Sequence, residues 1–134
     1  MDGYVVFVAG AVPGDKVTAR VFRKRKKFAE AVLLEVLEPS PLRTDHRCKY
    51  FGTCGGCKWQ HVSYDAQLEA KTQSVKEAFE HHGGFESVLV KPTLAADDIY
   101  YYRNKMEFSF SANRWLTPEE IASKKEFDTS FALG

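Results

Sequence analysis

The sequence predicts an α+β protein in which an incomplete small β-barrel is followed by an irregular loop, a helix and an antiparallel β-sheet. Runs of β-branched residues separated by turn residues predict strands early in the chain, and apolar residues at helical spacing predict a helix from Tyr64. An alternating run over 101–111 predicts a further strand. The 134 residues, 44% of them hydrophobic, suit one ordinary core or two small modules and leave no room for a large catalytic domain.

Three strands are predicted in the first part of the chain. Residues 3–9 and 16–22 are rich in β-branched residues, and residues 12–15 between them read Val-Pro-Gly-Asp, which is a strong turn signal. We therefore expect the first two strands to form a hairpin. A third strand, 28–37, is expected to end before the Pro-Ser-Pro at 39–41, because proline cannot donate to a β-ladder.

One long helix is predicted in the middle of the chain. Ser63 is placed to cap a helix that begins at Tyr64. The glycines at 83–84 predict its end, since glycine adopts the left-handed conformation of a helix C-terminus at low cost. Residues 87–90 are a candidate for a short strand after it.

The last third of the chain combines a strand and a short helix. Residues 101–111 alternate, with Arg103 and Lys105 on the face opposite to the aromatic residues, so one face is expected in a core and the other in water or at a functional surface. The Thr-Pro-Glu-Glu that opens 117–125 provides an N-cap, a first-turn proline and a capping-box glutamate, which predicts a short helix. The run 130–134 is strand-like.

The charge is unevenly distributed, although the net charge is only +1. Residues 1–60 carry 11 Lys and Arg against 6 Asp and Glu, whereas residues 61–134 carry 8 against 12. The basic half contains five consecutive cations, which we call the basic run: Arg23, Lys24, Arg25, Lys26 and Lys27. Such a run creates a field that a polyanion would feel, but a solvated hairpin loop has the same composition, and both interpretations remain open.

The three cysteines form a candidate metal site. Cys48, Cys54 and Cys57 lie within ten residues, and their odd number argues against a disulfide framework. The Gly-Gly between the last two allows a tight turn that aims thiolates and amide groups at one centre. Three thiolates fit a cubane iron-sulfur cluster that lacks one protein ligand, whereas His61, or less suitably His46, would complete a zinc site. Spacing alone does not separate the two.

The residues around the cysteines carry a family resemblance. Segment 51–61 reads Phe-Gly-Thr-Cys-Gly-Gly-Cys-Lys-Trp-Gln-His, and it is followed by Tyr64, Gln67, Leu68 and Lys71. In order and spacing these residues resemble the cluster-binding segment of the SAM-dependent RNA uracil-C5 methyltransferases, in particular those that act on 23S ribosomal RNA.

Two further segments extend the resemblance over essentially the whole chain. Residues 102–108, Tyr-Arg-Asn-Lys-Met-Glu-Phe, resemble the strand of the family's central domain that helps to present RNA. The front end, from 5–8 through 13–15 to 38–41, is similar to a TRAM domain, the small OB-like β-barrel with which these enzymes grip RNA. The resemblance thus implies a partial TRAM/OB-like barrel, 1–41, and a cluster-binding central domain, 42–134.

The resemblance also implies which ligands and domains lie elsewhere. Cys48, Cys54 and Cys57 match the first three ligands of a 4Fe-4S cluster, so none of them is assigned as the catalytic nucleophile. In the family, the fourth cysteine and a Rossmann-like domain with the S-adenosylmethionine site and the catalytic residues come later. His61 is then expected to be a hydrogen-bonding residue rather than a ligand. We expect Met1 to fall inside the barrel domain, which lacks its first strand, and the central domain to be truncated.

RNA contacts are expected from the basic run and from residues near the cluster. Trp59, together with Tyr50 and Phe51, is placed to stack on splayed bases, although packing around the cluster is the preferred role for Phe51. Arg103 and Lys105 are expected to meet RNA or the missing domain, with an ordinary surface ion pair as the alternative.

These inferences give one expected function and one alternative. We expect the RNA-recognition and 4Fe-4S-binding portion of a 23S rRNA (uracil-C5)-methyltransferase, monomeric, bound to 23S rRNA and catalytically inactive alone. The alternative is a zinc-stabilised RNA-binding module unrelated to methylation. The chain has no apolar run that could span a bilayer and no signal-peptide pattern, so we expect it in the cytoplasm.

Overall fold

A computed structural model describes residues 3–105 and 107–133. The chain divides into two compact units. Unit 1 contains the residues up to Arg47 together with Lys58–Gln67, and unit 2 contains Cys48–Cys57 and the residues from Leu68 onwards. The elements are, in chain order, β1 (Val5–Ala9), β2 (Lys16–Lys24), β3 (Phe28–Glu38), α1 (Tyr64–His81), β4 (Phe110–Asn113), α2 (Pro118–Ser123) and β5 (Ser130–Leu133). The predicted α+β class is confirmed.

The sheet of unit 1 has the strand order β1-β3-β2. β1 runs parallel to β3, with Val5 opposite Phe28, and β2 runs antiparallel to β3, with Lys24 opposite Ala29. The predicted β1–β2 hairpin is therefore wrong, because β3 lies between the two strands. The turn at 12–15 does form, with the Asp15 N–H bonded to the Val12 carbonyl at 3.0 Å, but it leads the chain away from β1 instead of back along it.

The buried face of this sheet consists of small residues. Ala29 and Ala31 alternate along β3 and are 2% and 1% exposed, and Val12 from the turn is 3% exposed. The alternation follows from the two-residue period of a strand. Residues of the opposite face, such as Phe7 and Val32, are exposed. Phe7 contacts Phe28 edge to face, with ring centroids 5.7 Å apart.

A buried carboxylate connects the turn after β1 to the segment after β3. Asp15 accepts hydrogen bonds from the backbone N–H groups of Val12 at 2.7 Å and Ser40 at 2.8 Å, and from Nε of Arg43 at 3.1 Å. A second guanidinium nitrogen of Arg43 also donates to Asp15. The Asp15 side chain is fully buried, and these donors hold its pKa well below its usual range, the Arg43 bonds most strongly.

A bridge of Arg43 and a hydrogen bond of its neighbour Thr44 also connect residues 58–67 to the rest of unit 1. Arg43 pairs with Val62 in an isolated antiparallel bridge, and the Thr44 N–H donates to the His61 carbonyl at 3.0 Å. His61 is 6% exposed, and burial, followed by the nearby Arg43 charge, lowers its pKa. The amide nitrogen of Gln67 donates to the Val62 carbonyl at 2.9 Å, which fixes this segment at the start of α1.

Helix α1 begins at Tyr64, as predicted, and ends at His81, two residues before the glycines that were expected to end it. The Ser63 carbonyl accepts from the Gln67 N–H at 3.0 Å, so Ser63 occupies the position before the first helical residue. After the helix, the Gly83 N–H donates back to the Ala78 carbonyl at 3.2 Å. Neither helix in the described part of the chain combines the length and the apolar character that a membrane crossing requires.

Unit 2 contains a two-stranded antiparallel sheet, β4–β5, and the capped helix α2. Thr117 accepts from the Glu120 N–H at 3.3 Å, and the Glu120 carboxylate accepts from the Thr117 N–H at 2.8 Å. This is the predicted capping box, with Pro118 in the first turn. Arg114 adds two 2.9 Å bonds to the same carboxylate, and the pKa of Glu120 is lowered to about 2, mainly by Arg114.

One predicted strand is absent from the described residues of unit 2, and a second forms only at its end. Residues 87–90 are irregular, and of the run 101–111 only Phe110 and Ser111 belong to a strand, while Met106 lies outside the described residues. Ser87 and Tyr101 have φ values of 57° and 59°, and this left-handed conformation interrupts an extended chain. Alternation predicts which face a strand would bury, but a strand also needs a partner to accept its backbone bonds.

We predict that replacing Asp15 destabilises unit 1. Asp15→Ala leaves Arg43 and two backbone N–H groups without their acceptor, so the free energy of unfolding should fall by about 3 kcal/mol. The matched control is Glu38→Ala, which removes the exposed Lys16–Glu38 ion pair and should cost less than about 1 kcal/mol. Urea unfolding followed by circular dichroism measures both values, and equal losses would contradict the prediction.

The low pKa of Asp15 also predicts a pH dependence of stability. In the unfolded chain Asp15 has the usual carboxyl pKa of about 4. In the folded chain the pKa of Asp15 is lower, so the carboxylate stays ionised to a lower pH. The stabilisation is therefore complete above the unfolded pKa and is lost as the pH falls. The difference in unfolding free energy between the wild type and Asp15→Asn should therefore shrink below about pH 4. A difference that stays constant from neutral pH to strong acid would exclude this role for Asp15.

Candidate nucleic-acid interface

The basic run lies at the β2–β3 hairpin of unit 1. Arg23 and Lys24 are the last residues of β2, and Arg25, Lys26 and Lys27 form the connection to β3. All five side chains are exposed. Arg23 makes a 3.4 Å ion pair with Glu30, so four of the five cations have no carboxylate within salt-bridge distance among the described residues. The hairpin tip therefore presents a concentrated positive charge to solvent.

Tyr4 supports this hairpin. Its hydroxyl lies 2.7 Å from the Arg25 carbonyl and 2.8 Å from the Phe28 carbonyl, so its one proton is shared between the two ends of the turn. Lys24 places its ammonium 6.0 Å from the centroid of the Tyr4 ring. The turn backbone is thus held in place while the basic side chains remain in solvent.

Trp59 also belongs to unit 1. The residue is 43% exposed, and its carbonyl accepts hydrogen bonds from the Val62 N–H and from the side chain of Gln67, both at 3.0 Å. The backbone at Trp59 is therefore well fixed, and the indole offers a partly exposed face on which a base can stack.

Arg103 and Lys105 lie in unit 2 and are both exposed. Neither is on a strand, so the alternating arrangement that suggested a functional face is not formed around them. Lys105 comes within 3.9 Å of Glu107, with both side chains more than four-fifths exposed, and such a pair contributes little to stability.

The three cysteines are free thiols on a loop of unit 2, with Cys48 half-buried and Cys54 and Cys57 exposed. The loop turns tightly, because the N–H groups of Thr53 and Cys54 both donate to the Tyr50 carbonyl. The Gly56 N–H donates to the sulfur of Cys54 at 3.4 Å. This amide–sulfur bond is of the kind that stabilises a metal-bound thiolate.

The donor chemistry of this loop suits a soft metal, but its conformation does not form a closed ligand set. Within the described ranges, no three side chains of His, Cys, Asp or Glu come together closely enough to hold a metal ion. His61, the fourth ligand of the zinc alternative, is buried in unit 1. The loop as it stands would have to rearrange to bind either metal centre.

A cleft of about 1050 Å³ lies inside unit 2. Its walls come from the cysteine loop, from the β4–β5 sheet and from the start of α2. Tyr50 contacts Trp115 edge to face, with ring centroids 5.6 Å apart, and Lys49 lies 4.7 Å from the centroid of the Tyr50 ring. Cys48 and Cys54 line the same cleft.

The sequence analysis did not single out Arg43, which binds Asp15 in unit 1, or Trp115, which contacts Tyr50 in unit 2. Nothing in the pattern around Arg43 indicated that it would pair with Asp15, since 28 residues separate them and neither is part of a periodic run. Trp115 was missed for the same reason, because its partner Tyr50 lies far away in sequence. One indirect signal for Trp115 was present in the sequence. It lies two residues before Thr117, whose capping box determines where α2 begins and so limits the backbone conformation at Trp115.

Comparisons with known proteins found one domain family and several relatives of this chain. Residues 1–34 match the TRAM domain family. The chain is similar to an uncharacterized RNA methyltransferase of Chlorobaculum tepidum, with 49% identity over 99% of this chain and 28% of the relative. It is 42% identical, over 98% of its length, to an uncharacterized RNA methyltransferase of Porphyromonas gingivalis, of which it also covers 28%.

A further relative has a more specific name. The 23S rRNA (uracil(1939)-C(5))-methyltransferase RlmD of Nitrosococcus oceani is 46% identical over 77% of this chain and 23% of its own length. The chain thus spans little more than a quarter of the relatives that match it along nearly its whole length. The chain is therefore similar to proteins named as RNA methyltransferases, and its first 34 residues match the TRAM domain family, in agreement with the resemblance of its motifs.

Proposed function

We propose that this chain is the RNA-recognition and 4Fe-4S-binding portion of a SAM-dependent 23S rRNA (uracil-C5)-methyltransferase and transfers no methyl group by itself. The observation that carries the proposal is the exposed basic hairpin within the TRAM-matched segment. Its similarity to relatives named as RNA methyltransferases, one of them specific for 23S rRNA, supports the choice of RNA as the partner.

The proposal assigns separate roles to the two parts of the chain. Residues 1–41 bind RNA through the basic run, and residues 42–134 hold the cluster and add contacts from Trp59, Arg103 and Lys105. The methyl donor, S-adenosylmethionine, binds outside these residues in the complete enzyme. The protein acts in the cytoplasm as a monomer.

The basic run acts on RNA through counterion release. Each cation that neutralises a phosphate displaces a condensed counterion, so the affinity falls with salt in proportion to the number of phosphate contacts. A hairpin with its backbone held by Tyr4 loses little conformational entropy when it binds, since only the side chains must be ordered.

We predict that the turn residues of the basic run determine the salt dependence of RNA binding. Replacing Arg25, Lys26 and Lys27 by serine should weaken binding and reduce the slope of log K against log salt by about 2 if all three contact phosphates of a single strand. Fluorescence anisotropy with a labelled rRNA fragment, measured over a range of salt concentrations, gives the slope.

The matched control replaces three exposed lysines outside the run, Lys76, Lys91 and Lys125, by serine. This triple variant removes the same net charge, so it separates a local contact from a general effect of charge. Equal losses of slope in the two triple variants would mean that the basic run is only a solvated loop.

The cluster assignment rests on the three cysteines, the amide–sulfur bond at Cys54 and the resemblance of segment 51–61. The thiolates of Cys48, Cys54 and Cys57 would hold the cluster, and the loop must close around it. The exposure of Cys54 and Cys57 leaves both thiols accessible to incoming iron and sulfide.

We predict that anaerobic treatment with ferrous iron and sulfide loads iron and acid-labile sulfide together onto the chain. Cys54→Ser and Cys57→Ser should each lose most of the bound iron, because a thiolate is a far better iron ligand than a hydroxyl. Lys58→Ser, an exposed neighbour of Cys57, is the matched control and should load normally. Metal analysis that finds one zinc and no iron would support the zinc module instead.

A further inference from the structure

We propose that the cleft of unit 2, in the cluster-free chain, binds one unpaired nucleobase of an RNA strand, stacked against the Tyr50–Trp115 pair. This inference rests on the proposed RNA-binding function and adds a second contact site to it, apart from the basic run. It concerns a part of the molecule for which the sequence predicted only the metal ligands and a stacking role for Tyr50.

The aromatic pair is suited to a base. The two rings meet at 68° with centroids 5.6 Å apart, and such an edge-to-face contact leaves ring surface uncovered. Lys49 lies 4.7 Å from the Tyr50 centroid and takes up part of that ring's face, so Trp115 is the main stacking surface. Tyr50 is 38% exposed and Trp115 is 45% exposed, so both retain accessible surface beside the cleft. Stacking of a base on an aromatic side chain is favourable for every base, because each base has a π-face.

Hydrogen bonds of Arg114 fix the backbone position of Trp115. Arg114 donates to the Trp115 carbonyl at 3.1 Å and makes two bonds to Glu120, which closes the capping box of α2. Because these contacts hold the backbone of Trp115 in place before a ligand binds, less conformational entropy is lost on binding.

The other residues that line the cleft can form hydrogen bonds with a base, but they do not carry the net positive charge that a phosphate site needs. Asn113 and Ser109 line the cleft and provide amide and hydroxyl groups that both donate and accept, whereas the Ser111 hydroxyl already donates to the Asn113 carbonyl at 2.8 Å. Lys49 adds one cation, whereas Glu119 and Glu120 add negative charge and Arg114 is already engaged with Glu120. A nearly neutral cleft that combines aromatic and amide groups favours a neutral base over the sugar-phosphate backbone.

The size of the cleft agrees with this occupant. Small-molecule sites span roughly 300 to 1,000 Å³, and a cleft of about 1050 Å³ accepts a nucleotide together with part of its neighbours. Unpaired bases of RNA are commonly recognised in this way, splayed out of a strand and stacked on aromatic side chains.

The test uses the metal-free, reduced chain and two single-stranded RNA oligonucleotides of equal length, one complete and one with abasic central positions. Trp115→Leu should weaken binding of the complete oligonucleotide by about tenfold and leave binding of the abasic one unchanged. Trp115→Phe, which keeps an aromatic face, should retain most of the affinity and also shows that the site tolerates substitution. Tyr101→Leu removes an exposed aromatic side chain that does not line the cleft and should have no effect.

A second readout reports stacking directly. The chain has two tryptophans, so in a Trp59→Phe background the fluorescence of Trp115 alone is observed. The complete oligonucleotide should quench this fluorescence and the abasic one should not. RNA binding without quenching, and with equal affinities for Trp115→Leu and the wild type, would overturn the cleft proposal alone. Failure of the wild type to bind either oligonucleotide would overturn the RNA-binding function as well.

Discussion

The buried ion pair between Asp15 and Arg43 is the interaction on which unit 1 depends. It joins the turn after β1, the end of β3 and, through Arg43, the segment that carries His61. An unpaired carboxylate could not be buried so completely, because its desolvation would cost several kcal/mol. Each partner therefore makes the burial of the other possible, next to a sheet face whose buried residues include the small side chains of Ala29 and Ala31.

Local patterns predicted most elements of this fold, and the reasons differ from element to element. Helix α1 and the capping box at Thr117 depend on residues within a few positions of each other, so their signals are complete within short windows. The pairing of β1 with β3 depends on chain closure over more than 20 residues, and the turn at 12–15 gives no information about it. The run 101–111 shows the opposite case. Its residues alternate between apolar and polar as in a strand, but most of the run has no partner strand and is irregular.

The candidate site shows a similar division. The sequence marked the basic run and the cysteines as candidates because their composition is unusual over a few residues. The conformation of the cysteine loop could not be read in this way, since a ligand set is defined by distances between sulfurs and not by their spacing in the chain. The cleft beside the loop likewise arises from Tyr50 and Trp115, which meet only in the folded protein.

The cations of β2 have a consequence beyond any ligand. β2 is an edge of the described sheet, and an open edge can pair with the edge of another molecule and begin aggregation. Arg20 and Lys24 place positive charges along this strand, beside Lys16 and Arg23, which pair with Glu38 and Glu30, and two copies brought edge to edge would repel each other. Replacing these residues to study binding would therefore also weaken the protection of the chain against self-association during expression and folding.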